Sequence, residues 1–267
     1  MGRITDALKR AMLHKGSLHK QLEFHSKTLP LPSLERKQDY SEINLEKVSP
    51  LIVAYYEVGG AILDEFQHIR AKILKRQLKS LFITSSLPED GKTLVALNLA
   101  FTVARAVKEE RRRILVMDLD FYKRAFFDLL GLDHGTKGFS NALVNKADVR
   151  DFVLRDAKTG LYLLTVGNGH VKDLNALKAA EILQVLKTEF DIIIADSMPV
   201  LSFVEPRELA PLFDAVLYVV RMLKTPRGSV NFGVQCLKDM GQENIFFALN
   251  GVKDFLPKKG NSYYKKY

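Results

Sequence analysis

Short runs of apolar residues alternate with longer segments of helical periodicity through the middle of the sequence. The apolar runs lie at 81–84, 114–117, 161–166, 192–194, 215–220 and 245–249. The helix-like segments lie at 58–79, 92–107, 174–187 and 228–240. Uninterrupted apolar runs are typical of parallel strands buried on both faces, with helices as the crossovers between them. The pattern therefore predicts an α/β fold, with a mostly parallel central sheet flanked by helices on both faces.

The two ends of the sequence have different patterns. Ile4, Leu8 and Met12 recur at intervals of four, which predicts a short amphipathic helix over 1–13. Residues 14–50 are polar and interrupted by prolines, so we interpret them as a linker. The remaining sequence then forms one folded domain at 51–252 and a flexible tail at 253–267 that is rich in lysine and tyrosine.

Composition narrows the class of protein. The chain has 267 residues, 47% of them hydrophobic, which suits one sizeable core with short appendages. One cysteine, Cys236, cannot form a disulfide framework within the chain, and no apolar run has the length of a membrane span. We therefore expect a cytoplasmic protein. The net charge of +9 is compatible with nucleic acid, an anionic membrane surface or a phosphorylated ligand.

A loop between the first apolar run and the next helix has the composition of a phosphate-binding loop. It reads Ser85-Ser86-Leu87-Pro88-Glu89-Asp90-Gly91-Lys92-Thr93. Amides at a helix N-terminus bind phosphates, a lysine reaches the β- and γ-phosphates, and a threonine hydroxyl enters a Mg²⁺ shell. The spacing departs from GxxxxGK[ST], because Ser86 stands in place of the first glycine. We predict a P-loop NTPase fold that binds ATP and Mg²⁺ through Ser86, Pro88, Glu89, Asp90, Gly91, Lys92, Thr93 and Leu94.

Carboxylates end two of the other predicted strands. Asp118 and Asp120 follow the strand at 114–117, and Asp196 follows the strand at 192–194. The carboxyl ends of parallel strands meet at one edge of the sheet, which is where ligands bind in such folds. We predict Thr93, Asp118 and Asp196 as the metal site, and Lys92, Asp118, Asp120 and Asp196 as the catalytic residues. Either Asp118 or Asp120 is then the general base, and the sequence leaves that choice open.

These ordered motifs resemble those of the bacterial tyrosine kinases (BY-kinases), which accompany capsule and exopolysaccharide synthesis. The resemblance covers about residues 57–250. The family's loop pattern T-S-x-x-P is matched by Thr84, Ser85 and Pro88, so Ser86 in place of glycine is similar to other members. The resemblance implies that Arg221 and Asn250 contact the nucleotide, with Asn250 near the base.

The sequence departs from the family pattern at several positions. Glu89 stands where members usually have glycine, and Tyr122 begins a segment where arginines and proline are usual. Ser197 and Met198 alter the motif that follows the acidic strand end. The helix motif implicated in ring assembly keeps only Arg70, so self-association stays open.

The resemblance also implies substrates and partners. BY-kinases phosphorylate their own C-terminal tyrosines, which are here Tyr263, Tyr264 and Tyr267. They act with a membrane-spanning polysaccharide chain-length regulator (co-polymerase), and a phosphotyrosine phosphatase is a further expected partner. The resemblance therefore implies an ATP-dependent tyrosine autokinase that regulates exopolysaccharide polymerisation and export, held by its partner at the inner face of the plasma membrane.

Two other functions fit the same motifs. A partitioning or positioning ATPase of the related deviant-Walker class usually has a second lysine early in its loop, and residues 85–91 contain none. A catalytically weak nucleotide-sensing scaffold of the export machinery is the second alternative, with Gln67, Glu89 and Met198 as its distinguishing changes. The basic residues at 111–113 follow Glu109 and Glu110, so we interpret them as a solvated helix end and expect no nucleic-acid partner.

Overall fold

The computed structural model describes residues 40–57, 59–144, 147–169 and 174–252. Its strands are β1 (Ser41–Ile43), β2 (Ser80–Ser85), β3 (Ile114–Asp118), β4 (Leu154–Asp156), β5 (Tyr162–Leu164), β6 (Ile192–Asp196), β7 (Ala215–Arg221) and β8 (Ile245–Asn250). Its α-helices are α1 (Val53–Tyr56), α2 (Ala61–Lys75), α3 (Lys92–Ala106), α4 (Ala125–Leu130), α5 (Phe139–Val144), α6 (Ala176–Glu189), α7 (Glu205–Leu209) and α8 (Arg227–Asp239). Short 3-10 helices cover Val149–Phe152 and Ala210–Leu212.

The eight strands form one sheet in the order β1-β4-β5-β3-β6-β2-β7-β8. Neighbouring strands pair in parallel except β4 with β5. The central strands β2, β3 and β6 are buried along their whole length, as their uninterrupted apolar sequences require. The predicted α/β fold with a mostly parallel sheet is confirmed.

Two hydrophobic cores lie on opposite faces of the sheet. Strand β2 shows the division, because Leu81 and Ile83 belong to one core and Phe82 to the other. Helices α1, α2 and α3 pack in the first core, while α5, α6 and α8 contribute to the second. Side chains alternate along a strand, so a sheet covered on both faces is built from strands that are apolar at every position.

The prediction that residues 40–50 belong to a linker is wrong, because these residues are part of the folded domain. Strand β1 pairs in parallel with β4 at the edge of the sheet. Tyr40 is buried against Tyr162, with ring centroids 5.2 Å apart, and its hydroxyl donates to Glu189 Oε2 at 3.3 Å. A strand of three residues with two exposed side chains carries no periodic signal, and its partners are more than a hundred residues away in sequence.

Other boundaries differ less. The helix predicted over 58–79 spans Ala61–Lys75, and the strand predicted over 161–166 is Tyr162–Leu164. The helix predicted over 1–13, the linker over 14–39 and the tail over 253–267 lie outside the described residues. Within the described ranges, no helix combines the length and the apolar character that crossing a bilayer requires.

Candidate active site

Three central strands bring the predicted loop and the carboxylates to one edge of the sheet. The loop follows β2, the carboxylates Asp118 and Asp120 lie at the end of β3, and Asp196 ends β6. Asp118 and Asp196 are direct neighbours in the β3–β6 pairing, and Asp196 is level with Ile83 of β2. The arrangement puts the residues at the carboxyl edge of the sheet, where ligands bind in open α/β folds.

The backbone of the loop contains two residues in the left-handed region. Gly91 has φ 97° and lies immediately before α3, and Glu89 has φ 66°. A non-glycine residue in this region costs about 1–2 kcal/mol. The glycine that BY-kinases usually carry at the position of Glu89 therefore has a conformational reason, and this chain keeps the same backbone turn with a glutamate.

Residues from β7, β8 and the turn after β7 hold the loop in place. The Arg221 guanidinium donates to the Glu89 carbonyl at 2.9 Å, and the Asn250 amide donates to the Asp90 carbonyl at 2.8 Å. The Thr225 hydroxyl donates to Asp90 Oδ1 at 2.7 Å. Arg221 and Asn250 were predicted to contact the nucleotide. The structure places both on the loop backbone, and Arg221 also lines the adjoining cleft.

A buried hydrogen bond accounts for serine in place of the first P-loop glycine. Ser86 Oγ and Tyr218 Oη are 2.9 Å apart, and both residues are fully buried. Burial raises the pKa of Tyr218 to about 12, so its hydroxyl stays protonated near neutral pH. Asp90 Oδ2 also accepts the Leu87 amide at 3.2 Å within the loop. The side chains of Ser86 and Asp90 therefore shape the loop.

Lys92 and Thr93 lie at the start of α3, next to the strand-end carboxylates. Burial lowers the pKa of Lys92, while Asp196, Asp120 and Asp90 act in the opposite direction. Lys92 is only 7% exposed, so its ammonium group is desolvated and lies among these carboxylates. Thr93 hydrogen-bonds Asp196, which couples the loop to the end of β6.

Asp118 and Asp196 fit the ligand set of a magnesium ion. Asp118 Oδ1 accepts the Asp120 amide at 2.9 Å, but Asp118 Oδ2 and Asp196 Oδ1 have no hydrogen-bond partner in the described part of the chain. Both side chains are almost fully buried. Burial raises the pKa of Asp196 to about 7 and the pKa of Asp118 well above its usual value. Unpartnered buried carboxylate oxygens are relieved by a hard cation, so the residues present fit Mg²⁺.

A cleft of about 760 Å³ opens beside these residues. Its lining includes the predicted residues Pro88, Glu89, Gly91, Lys92, Thr93, Leu94, Asp120 and Arg221. It also includes residues that the sequence did not single out as a site, among them Tyr122, Lys123, Asp128, Pro199 and Phe203. Asp118 lies below the surface of the cleft and Asp120 at it, which separates two carboxylates that the sequence could not tell apart.

Gly91 is the loop position where a side chain is least tolerable, and Gly91→Ala is a direct test of the loop geometry. A Cβ at this position would lie 2.0 Å from Asn250 Nδ2, and φ 97° is unfavourable for alanine. We expect at least about a tenfold rise in the Kd for ATP, measured by titration, because the clash and the strain each cost on the order of 1 kcal/mol or more.

The matched control is Gly228→Ala in α8. A Cβ at Gly228 would meet nothing within 4 Å, so this variant is expected to bind ATP like the unaltered chain. An unchanged Kd in Gly91→Ala would contradict the loop conformation described above.

Comparisons with known proteins find bacterial tyrosine kinases among the proteins that the chain resembles. The tyrosine-protein kinase YwqD of Bacillus subtilis is 24% identical over 209 residues, which cover 76% of this chain and 86% of YwqD. The crystal structure of the VpsO kinase domain superposes with a TM-score of 0.64 at 26% identity, covering 76% of this chain and 95% of that domain. The succinoglycan biosynthesis transport protein ExoP of Rhizobium meliloti is 28% identical over 150 residues, or 54% of this chain and 18% of ExoP. No protein-family model matches the chain.

Proposed function

We propose that this chain, as a member of the bacterial tyrosine-kinase family, transfers the γ-phosphoryl group of ATP to tyrosine. The observation that carries this proposal is the pair of unpartnered carboxylate oxygens, Asp118 Oδ2 and Asp196 Oδ1, beside a buried lysine at the start of a helix. Phosphoryl transfer requires this combination of a phosphate-binding cation, helix amides and metal-binding carboxylates. The acceptors we propose are the chain's own tyrosines, Tyr263, Tyr264 and Tyr267.

Each group has a distinct role in this proposal. Lys92 and the amides at the start of α3 bind the β- and γ-phosphates, and Thr93, Asp118 and Asp196 hold Mg²⁺. When bound, the ion neutralises charge on the phosphate oxygens. The acceptor hydroxyl oxygen forms a bond to the γ-phosphorus as the bond from that phosphorus to the bridging β–γ oxygen breaks, and ADP leaves. The phenolic proton passes to a carboxylate of the protein.

Asp120 is the base that the geometry favours. It lines the cleft, while Asp118 lies beneath the cleft surface. The amides of Tyr122 and Lys123 donate to Asp120 Oδ1 at 3.1 and 2.9 Å, which fixes the carboxylate in one orientation. A general base must reach the proton that it removes, so the carboxylate at the surface of the cleft is better placed for this role.

The same proposal extends to the biological setting. The relative ExoP is named for succinoglycan biosynthesis and transport, which supports a role in exopolysaccharide polymerisation and export. We propose that the chain acts with a membrane-spanning chain-length regulator, at the cytoplasmic face of the membrane. The solved chimera CapA2B2 resembles the chain at 22% identity and a TM-score of 0.66, a likeness that supports the fold.

Changing the three tail tyrosines tests the acceptor assignment. These tyrosines lie outside the described residues, and their placement is read from the sequence. The triple variant Tyr263/Tyr264/Tyr267→Phe is expected to lose nearly all autophosphorylation, because phenylalanine keeps the ring but removes the accepting oxygen. Phosphotyrosine blotting after incubation with Mg²⁺ and ATP measures the loss.

ATP binding by the triple variant is the internal control. It should equal that of the unaltered chain, because the changed positions are outside the phosphate loop. Phosphotyrosine that persists at full level in the triple variant would contradict the tail assignment. Phosphotyrosine absent from both proteins, with ATP still bound, would favour the nucleotide-sensing scaffold.

A further inference from the structure

The exposed ring of Tyr122 stacks on the half-buried ring of Phe203 at one side of the cleft. The rings of Tyr122 and Phe203 have centroids 4.3 Å apart and an interplanar angle of 18°. Tyr122 is 57% exposed, and both side chains line the same cleft as Lys92 and Thr93. The aromatic surface that Tyr122 presents to the cleft is available to stack with the ring of a ligand.

Hydrogen bonds anchor Tyr122 beside the candidate base, Asp120. The Tyr122 hydroxyl donates to Glu205 Oε1 at 2.7 Å, and the Tyr122 amide donates to Asp120 Oδ1 at 3.1 Å. Tyr122 is thus fixed at its backbone end and at its hydroxyl end, two positions along the chain from Asp120, whose carboxylate faces the cleft. The aromatic pair and Asp120 therefore line the same cleft.

The strand order puts the aromatic pair on one side of the phosphate loop and the residues that hold this loop, Arg221 and Asn250, on the other. The phosphate loop follows β2, which lies between β6 and β7 in the sheet. Tyr122 and Phe203 follow β3 and β6 on one side of the loop, whereas Arg221 ends β7 on the other side. The phosphate loop therefore lies between the two sides of the cleft. Arg221 and Asn250 hydrogen-bond the loop from the side opposite the aromatic pair.

We propose that Tyr122 and Phe203 form the acceptor subsite, on which the ring of the substrate tyrosine stacks with its hydroxyl directed to Asp120. This inference rests on the proposed kinase function and names its acceptor class, a tyrosine with basic neighbours. Glu205 contacts Tyr122, and Asp128 lines the same side of the cleft. Their negative charges complement Lys265 and Lys266, which lie next to Tyr264 in the sequence.

Peptide binding tests the subsite without requiring turnover. The probe is a fluorescein-labelled peptide with the sequence of residues 258–267, and the protein is the full chain with Tyr263, Tyr264 and Tyr267 changed to alanine so that its own tail offers no ring. Fluorescence anisotropy is measured with Mg²⁺ and a non-hydrolysable ATP analogue present. Phe203→Ala is expected to raise the peptide Kd about fivefold, since an aromatic stack is removed.

Two controls define the outcome. The Kd for the ATP analogue should not change in Phe203→Ala. The variant Phe232→Ala, which removes an exposed phenylalanine of α8 away from the cleft, should leave the peptide Kd unchanged. An unchanged peptide Kd in Phe203→Ala, or no peptide binding by the parent protein, overturns the proposal. An equal rise in the Kd for the ATP analogue also overturns the proposal, because it indicates that the aromatic pair contacts the adenine base of the nucleotide. Peptide binding that follows the prediction in a chain that never forms phosphotyrosine rejects the kinase reaction and keeps the subsite.

Discussion

Lys92→Met is expected to lower the rate of tyrosine phosphorylation by about 10²–10³-fold, the usual effect of removing one charged group that stabilises a transition state. Lys92 is buried beside Asp196, Asp120 and Asp90, and its replacement removes the positive charge proposed to bind the phosphates. Methionine has a similar length and suits a buried position, so the fold should survive. The rate is measured by incorporation of labelled phosphate under saturating ATP.

Lys108→Met is the matched control for that variant. Lys108 is exposed and lies beyond the far end of α3, so its replacement should leave the rate unchanged. Circular dichroism and thermal melting of both variants separate a chemical effect from loss of folding. A Lys92→Met protein that is folded and phosphorylates tyrosine at the normal rate would contradict the assignment of the phosphate loop.

Asp118→Asn and Asp196→Asn are each expected to lower activity, and Asp118→Asn is also expected to raise the stability of the metal-free protein. Each removes a carboxylate from the proposed Mg²⁺ site, so we expect a loss of about 10³-fold in rate, as for other groups of the transition-state machinery. Asp118→Asn also removes a buried carboxyl group with one oxygen that lacks a partner among the described residues, and it leaves the carboxylates beside Lys92 in place. In EDTA, the thermal midpoint of this variant should therefore rise by roughly 2–4 °C, which corresponds to about 1 kcal/mol.

The stability of the metal-free protein should fall as pH rises, because of Asp196. The pKa of folded Asp196 is about 7, above its ordinary value of 3.8, so the folded state holds a proton that the unfolded state has released. In metal-free protein the contribution of Asp196 to stability is present below the unfolded pKa and falls as pH rises from about 4 through 7. Asp196→Asn should lose this part of the pH dependence. A melting midpoint that rises through the same range in the unaltered protein, with no flattening in the variant, would contradict the burial of this carboxylate.

The central sheet and the loop could be predicted because their signals are local. Strands β2, β3 and β6 are buried on both faces, so their apolar runs are continuous and mark both the strand and its end. Gly91, Lys92 and Thr93 identify a helix start that follows a strand, and Asp118 and Asp196 end the neighbouring strands. The order of these motifs along the chain was enough to place them at one edge.

The features that sequence patterns missed depend on partners distant in the chain. Ser86 is paired with Tyr218, 132 positions away, and Tyr122 contacts Glu205, 83 positions away. Phe203 lies in the loop between β6 and α7, which has no periodicity, so nothing local indicates that its ring stacks on Tyr122. Arg221 and Asn250 were identified by resemblance, but their hydrogen bonds to the loop carbonyls follow from the position of β7 and β8 beside it.

The most direct test of tyrosine-kinase activity is the intact mass of the purified chain after incubation with Mg²⁺ and ATP, followed by peptide mapping. We predict added mass in steps of one phosphate, mapped to tyrosines of the segment 263–267, and no added mass in Lys92→Met under the same conditions. An unmodified chain that binds ATP and Mg²⁺ as tightly as the loop predicts would contradict the kinase function.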